Sequence, residues 1–311
     1  LVKAVCVISS PMRGTHPSEP SDPRPGKPDI GSRLSTPTTG TGDRMDITIT
    51  FIGNATTLIA GGGITLLTDP NFLHAGQHAY LGYGLVSKRL HPPALTVDQL
   101  PPLDAVVLSH LHGDHWDRVA QAQLDRTLPI VTTRHAARRL ARRGFGHATG
   151  LDTWGSHVIR RGSTTVTVSA LPGRHAPTPV NRLLPPVMGS MLEFSGPAEE
   201  IRRVYVSGDT LFVEELREIP RRYPDVDAGV LHLGGTRLPF GRHLPFGLTV
   251  TMDGLQGAAA AQLVSARRII PVHFDDYGVF ASPLGDFIDE MTHRGMVDRV
   301  VTLDRGASVT V

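Results

Sequence analysis

Twice along this chain a run of closely spaced β-patterned segments gives way to strands alternating with helices, and that repetition limits the folds open to it. The first run is DITITFIG (46–53), TTLIA (56–60) and, after the turn GGG (61–63), ITLLTDP (64–70). Its alternation and β-branched residues predict a meander. A short apolar run, DAVVLSH (104–110), reads as a strand buried on both faces. Helix WDRVAQAQL (116–124), strand PIVTT (129–133) and helix HAARRLARR (135–143) follow. The second run is GSHVI (155–159), STTVTVSAL (163–171), MGSMLEF (188–194) and IRRVYVSGD (201–209). After it come helix LFVEELREI (211–219), strand DAGVLHLG (227–234) and helix DGLQGAAAAQLVSA (253–266). Strand RRIIPVH (267–273) and helix PLGDFIDEMTHR (283–294) complete the alternation, and DRVVTL (298–303) and ASVTV (307–311) close the chain. Each half reads as a sheet with helices on its outer side. Two such sheets packed together bury this much Val, Ile and Leu.

Outside this pattern lie two stretches of different character. Residues 11–44 are dominated by Pro, Gly, Ser, Thr and charge, with too little apolar area to offset the entropy of ordering them. Residues 1–44 are therefore expected to form a disordered N-terminal tail and residues 45–311 the folded domain. Because the chain opens on Leu1 and Met45 stands where order should begin, the tail is also a candidate over-extended gene start. Residues 71–103 read as a long Gly- and Pro-punctuated loop. A formal net charge of +2 lacks the global footprint of a nucleic-acid binder. The single cysteine, Cys6, rules out an intrachain disulfide and any multi-cysteine metal site. No apolar run is long enough to span a bilayer, and LVKAVCVISS imitates a signal peptide poorly, so a cytoplasmic protein is expected.

The densest chemistry is SHLHGDHWD (109–117). His110, His112 and His115 lack the i, i+4 spacing of a helix. They follow a buried strand and run through Gly113 into a helix, and in α/β folds chemistry gathers at strand carboxyl ends. Period-two alternation puts positions 110 and 112 on one side, and a turn at Gly113 folds Asp114 and His115 back toward them. Imidazoles and carboxylates converging in this way suit zinc, iron, manganese or nickel. A polar turn capped by its own histidines is the bland alternative, and five such residues at one strand tip argue against it.

His-x-His-x-Asp-His at a strand end resembles the signature of the metallo-β-lactamase-fold hydrolases, and other segments agree in order: Asp69 in LLTDP, His175 in LPGRHA, Asp209 in YVSGDT and His273 in IIPVHF. The resemblance covers roughly residues 45–311. It implies an α/β fold, a four-layer αββα sandwich with the site at one edge. It implies His110, His112 and His175 as ligands of one divalent metal. Asp114, His115 and His273 would be ligands of a second, with Asp209 bridging. Zinc is the first candidate, with manganese, iron or nickel also compatible. Asp69 resembles the carboxylate that orients a ligand through hydrogen bonds. Asp117 either does likewise or, as an acid at a helix start, interacts with the macrodipole. The implied chemistry is hydrolysis: a water ionised between two cations attacks carbonyl carbon or phosphorus, oriented by Asp114 as the catalytic residue.

Departures from relatives narrow the choice. Di-zinc β-lactamases commonly use a cysteine ligand, and none lies in the folded region. Flavin-linked di-iron oxidoreductases usually carry Glu where this chain has His112, and nucleic-acid-cleaving branches add an arm or inserted domain. FIGNATTLIA, LLTDP, SHLHGDHWD and PVHFDDYG are most similar to the branch holding L-ascorbate-phosphate lactonase-like and N-acyl-phosphatidylethanolamine phospholipase D-like proteins. The expected substrate is a small-molecule lactone or phosphoester. The alternatives are a phospholipid-type phosphodiester, or a non-catalytic metal-bound sensor or binding protein.

Weaker signals surround these. His232, at the end of DAGVLHLG, is read equally well as a substrate contact or a core histidine. His243 and Tyr277 are candidate substrate contacts, with Tyr80, Tyr83 and Phe280 as candidate pocket walls; surface exposure or ordinary packing explains them as well. Arg134, Arg138, Arg139, Arg142 and Arg143 around HAARRLARR could face a phosphate-bearing ligand or an anionic membrane surface. Their apolar side is mostly alanine, so a solvated face is the expected role.

Overall fold

A computed structural model of the chain describes residues 45–311 apart from 83, 178, 179, 198, 199 and 241–243, with side chains described outside 238–247. The expected tail over 1–44, Tyr83 and His243 lie outside the described residues.

The first half opens with strands β1 (Ile47–Gly53), β2 (Thr56–Gly61) and β3 (Ile64–Thr68), an antiparallel meander. A hairpin of β4 (His78–Gly82) and β5 (Leu85–Lys88) follows. Then β6 (Ala105–Val107), helix α1 (Arg118–Gln123), β7 (Ile130–Thr133), α2 (Arg134–Arg142) and β8 (Ala148–Leu151) extend the sheet in parallel. The second half runs β9 (Ser156–Arg161), β10 (Thr164–Leu171), β11 (Gly189–Ser195) and β12 (Ile201–Val206), all antiparallel. It continues through α3 (Ile219–Arg222), β13 (Ala228–His232), the hairpin β14 (Arg237–Phe240) and β15 (Leu244–Thr249), α4 (Gly254–Val264), β16 (Arg268–Val272) and α5 (Leu284–His293). Strand β17 (Ser308–Thr310) returns to pair with β1, giving a seven-stranded sheet in the order β17-β1-β2-β3-β6-β7-β8 and a six-stranded sheet in the order β16-β13-β12-β11-β10-β9.

Residue alternation stacks the layers. On β10, β11 and β12 the inward set Val166, Val168, Leu192, Phe194, Val204 and Val206 meets Ile47, Ile49, Leu66 and Val107 of the other sheet in one core. The opposite parity, Met191 and Tyr205, packs under α3, α4 and α5 with Ala258, Ala261 and Phe287. Val106 and Leu108 pack outward beneath α1 and α2 with Ala120 and Leu140. The result is the expected αββα sandwich.

Strand direction locates the chemistry. β3 and β6 are parallel, and so are β12, β13 and β16. Two antiparallel steps bring β10 into the same direction as β12. Within each sheet, the segments leaving these strands therefore emerge at one edge, and they carry Asp69, residues 109–115, His175, Asp209, His232 and His273.

Two expectations need correction. The 71–103 segment is not structureless: HAYLG alternates exposed and buried residues and forms β4 of the hairpin, tied to the sandwich by Gly113 N–H donating to Tyr80 O at 2.8 Å. A Cβ at Gly113 would meet the Tyr80 backbone N at 2.7 Å, and Gly113 does not have a positive φ, so close approach rather than turn geometry demands the glycine. The helix expected over 211–219 is a 3-10 turn at Glu214–Glu218 followed by α3, because Pro220 fits only the first turn of an α-helix. Val297–Arg299 is a 3-10 turn, and Val300 bridges Ile269.

Candidate metal centre

Three groups of ligand-type side chains converge at the sheet edge. They are His110, His112 and His175; Asp114, His115, Asp209 and His273; and Asp69, His115 and His232. Within each group one nitrogen or oxygen per residue lies within 4.8 Å of the others, and every member is buried. The first two groups adjoin, the rings of His110 and His115 lying 4.2 Å apart.

Hydrogen bonds fix which nitrogen each imidazole turns inward. Ser109 Oγ gives its proton to the Asp69 carboxylate at 2.9 Å, so it accepts from His110 Nδ1, also at 2.9 Å. His175 Nδ1 donates to Val250 O at 3.3 Å, and His273 Nδ1 donates to Leu233 O at 3.3 Å. His115 Nδ1 faces Asp69 Oδ2 at 3.2 Å. In the neutral form of all four rings Nε2 is thereby the lone-pair atom, the arrangement that metal-ligating histidines show. His175 Nε2, Asp114 Oδ1 and Asp209 Oδ1 are buried with no hydrogen-bond partner. His110 Nε2 and His112 Nδ1 approach to 2.9 Å. A cation would satisfy His175 Nε2 and Asp209 Oδ1, which have no hydrogen-bond partner among the described residues.

Charge leads to the same conclusion. Burial alone would raise the carboxyl of Asp69, but the charge of His115 and hydrogen bonds from His115 and His232 outweigh it and hold it at about 2. Asp114 and Asp209 are likewise held below the usual carboxylate range, against burial, chiefly by His115. Burial pushes His110 well down, His112 to about 3, and His175 and His232 down, so these rings are neutral. Burial would do the same to His115, but Asp209, Asp114 and Asp69 together raise it well above the ordinary histidine value. Three buried carboxylates facing one imidazolium leave negative charge to be balanced, as a cation site requires. The residues present fit metal ions.

The supporting shell contains residues the sequence reading missed. Ser109 continues the inward parity of Ala105 and Val107, and that parity was the available signal. Asn54 lies in the turn after β1 with φ of 53°; its side chain donates to Asp114 O at 2.7 Å, and its carbonyl accepts from His273 N at 2.9 Å. Behind it, fully buried Arg89 pairs with Asp276 at 3.3 Å and donates to Asn71. Asp69 and His273 have positive φ, 36° and 61°, a backbone conformation that costs energy for non-glycine residues and clusters at functional sites.

The remaining candidates are placed as follows. His232 is fully buried, its Nε2 3.3 Å from Asp69 Oδ2 and its Nδ1 3.2 Å from Ser207 Oγ, behind the carboxylate. Buried Tyr277 donates to Asn71 Oδ1 at 2.9 Å and packs against Phe280, which in turn lies 4.6 Å from His273. Asp117 is the N-cap of α1, accepting from Ala120 N, while its other oxygen accepts from Phe72 N, Leu73 N and Asn71 Nδ2. It thus ties the segment after Asp69 to the helix start. Asp117→Ala is expected to cost about 3 kcal/mol in urea unfolding, since it removes a cap and strands buried donors. A loss under about 0.5 kcal/mol would show the cap to be dispensable.

The family model of the beta-lactamase superfamily domain matches residues 65–274, a span that contains every member of the three groups. The chain belongs to the beta-lactamase superfamily. Among superfamily relatives, it is 26% identical over 249 residues to a metal-dependent hydrolase of Exiguobacterium sp., covering 80% of this chain and 95% of that protein. It is 27% identical over 241 residues to N-acyl-phosphatidylethanolamine-hydrolyzing phospholipase D 1 of Caenorhabditis elegans, covering 73% of this chain but only 64% of the nematode protein. The structure of a possible metal-dependent hydrolase from Veillonella parvula superimposes with a TM-score of 0.70 over 86% of this chain and 100% of that one, at 21% identity. The likeness extends the superfamily assignment to the fold. Among the described residues no helix is long and apolar enough to cross a membrane.

Proposed function

We infer that this protein is a metal-dependent hydrolase of small molecules. The observation that carries the reading is the pair of adjoining buried ligand groups whose histidines have their tautomers fixed from behind. His110, His112 and His175 would hold one divalent cation; Asp114, His115 and His273 a second, with Asp209 between them. Zinc suits such a nitrogen-rich set. Bound there, two cations supply Lewis acidity and a water that ionises near neutral pH. The chain's own contribution is orientation and proton handling. Asp114 is held by Asn54 through its carbonyl, and its Oδ2 faces His273 at 3.3 Å. Its Oδ1 remains buried and unpartnered, and it is the atom assigned here to accept the proton of the attacking water.

A lactone or phosphoester is the substrate class that the quoted motifs favour, and the likeness to the nematode phospholipase D supports a phospholipid phosphodiester as the second reading. Metal analysis of the purified protein, run beside a panel of lactones, phosphodiesters, thioesters and β-lactams, tests the reading. About two metals per chain are expected, with turnover lost on chelation and restored by zinc or manganese. Less than half a metal per chain together with no turnover would favour a non-enzymatic role.

A further inference from the structure

The arginines of and beside helix α2, Arg134, Arg138, Arg139, Arg142 and Arg143, are exposed as the sequence predicts, and Arg139 among them also borders a cavity. Arg134 pairs with Asp152 at 2.5 Å, and Arg143 donates to Gln121 at 2.9 Å. Arg139 has no ion-pair partner among the described residues, and it lines a cavity of about 860 Å³. The same cavity is lined by Arg182, in the turn Val180–Leu183, also without an ion-pair partner among the described residues. His135, one turn before Arg139, lines it too, and its Nδ1 is buried with no hydrogen-bond partner. Tyr80 and Leu183, 58% and 64% exposed, add apolar wall. The volume is in the range of small-molecule sites, which combine apolar walls with a few convergent polar groups.

The cavity borders the metal centre. Gly82 of β4 lies on its wall, and a Cβ there would stand 4.0 Å from His112 Nε2. No side chain at this position intervenes between the cavity and the first ligand group. Asp69, Asp114 and Asp209 offset much of the charge that cations would bring to the centre, so positive charge in the adjoining cavity adds to the attraction of an anionic substrate. Two guanidinium forks suit a planar or tetrahedral oxyanion.

We propose that this cavity is an anion subsite in which Arg139 and Arg182 bind a phosphate or carboxylate carried by the substrate of the adjoining centre. That the anion belongs to a substrate rests on the hydrolase reading; that an anion binds does not. Two measurements separate them. Inorganic phosphate is titrated calorimetrically into chelator-treated protein, where the carboxylates of the centre repel it. Arg139→Ala/Arg182→Ala is expected to weaken binding at least tenfold, while Arg142→Ala, outside the cavity, serves as control. With metal restored, the selectivity for mono-4-nitrophenyl glutarate over 4-nitrophenyl acetate, as a ratio of kcat/KM, is expected to fall at least tenfold in the double variant. Arginine-dependent phosphate binding without turnover of either ester would keep the anion subsite and overturn its link to ester hydrolysis at the centre, the hydrolase reading itself resting on the substrate panel above. Turnover of both esters with an unchanged ratio, or phosphate binding that is absent or indifferent to the arginines, would overturn the subsite.

Discussion

Asp114→Asn is expected to lower kcat/KM for any substrate this protein turns over by about 10³-fold, the middle of the range that positioned proton transfer supplies. The amide has the shape of the carboxylate, and the Asn54 contact is made to the main-chain carbonyl of residue 114, so the turn carrying it is retained. What disappears is the charge that faces His273 and His115 and the unpartnered Oδ1 that can take a proton. Circular dichroism and thermal unfolding should change little, since removing one of three clustered carboxylates relieves repulsion as it loses an imidazole contact. Metal content must be measured with the rates. A variant that keeps its metal and full activity would remove Asp114 from proton transfer. Loss of metal in step with activity would make it a ligand alone.

Much of this site was legible because its ligands come from short segments that each leave a strand. A buried apolar strand followed at once by polar residues is visible locally, as in DAVVLSH–LHGDH, YVSGD and IIPVH, and each proved to lead into the clustered ligand groups. The shell behind them was less legible because its meaning is relational. Nothing in the segment FIGNATT announces that Asn54 will lie against both Asp114 and His273, since those contacts join residues far apart in the chain. Asp117 shows the opposite difficulty. Both readings of it were local, a shell carboxylate or a helix-start acid, and the structure makes it the cap while also binding Phe72 and Leu73 N–H groups. The β4–β5 hairpin was missed because Pro and Gly on either side obscure five alternating residues, and its position depends on a glycine in the other segment, Gly113.

Acidification should separate the chelated from the metal-loaded protein more strongly than any single substitution. Burial lowers the proton affinity of His110, His112, His175 and His232, with His112 reaching about 3, whereas in the unfolded chain each titrates near 6.5. Below 6.5 the unfolded state binds protons that the folded state refuses, so stability falls as pH falls. Each histidine contributes at most about 1.4 kcal/mol per pH unit in this window, and the four together on the order of 5 kcal/mol per unit as an upper bound. Against a typical total of about 5–15 kcal/mol, even part of that bound is a large loss of stability for the chelated protein as pH falls toward 5. His115 acts in the other direction but in another window. Its raised value adds stability as pH falls toward 6.5 and nothing further below it, where both states hold the proton. The depressed carboxylates of Asp69, Asp114 and Asp209 give way only below the ordinary carboxylate range, outside the window between 6.5 and about 5. Bound cations occupy the same lone pairs and delay protonation until they are displaced. Thermal unfolding between pH 7.5 and 5 should therefore show a steep fall in Tm for chelator-treated protein and a nearly flat Tm for the loaded form. Equal Tm at both ends in the chelated protein would mean that these histidines are not held neutral by burial, and the electrostatic case for a cation site would fail with it.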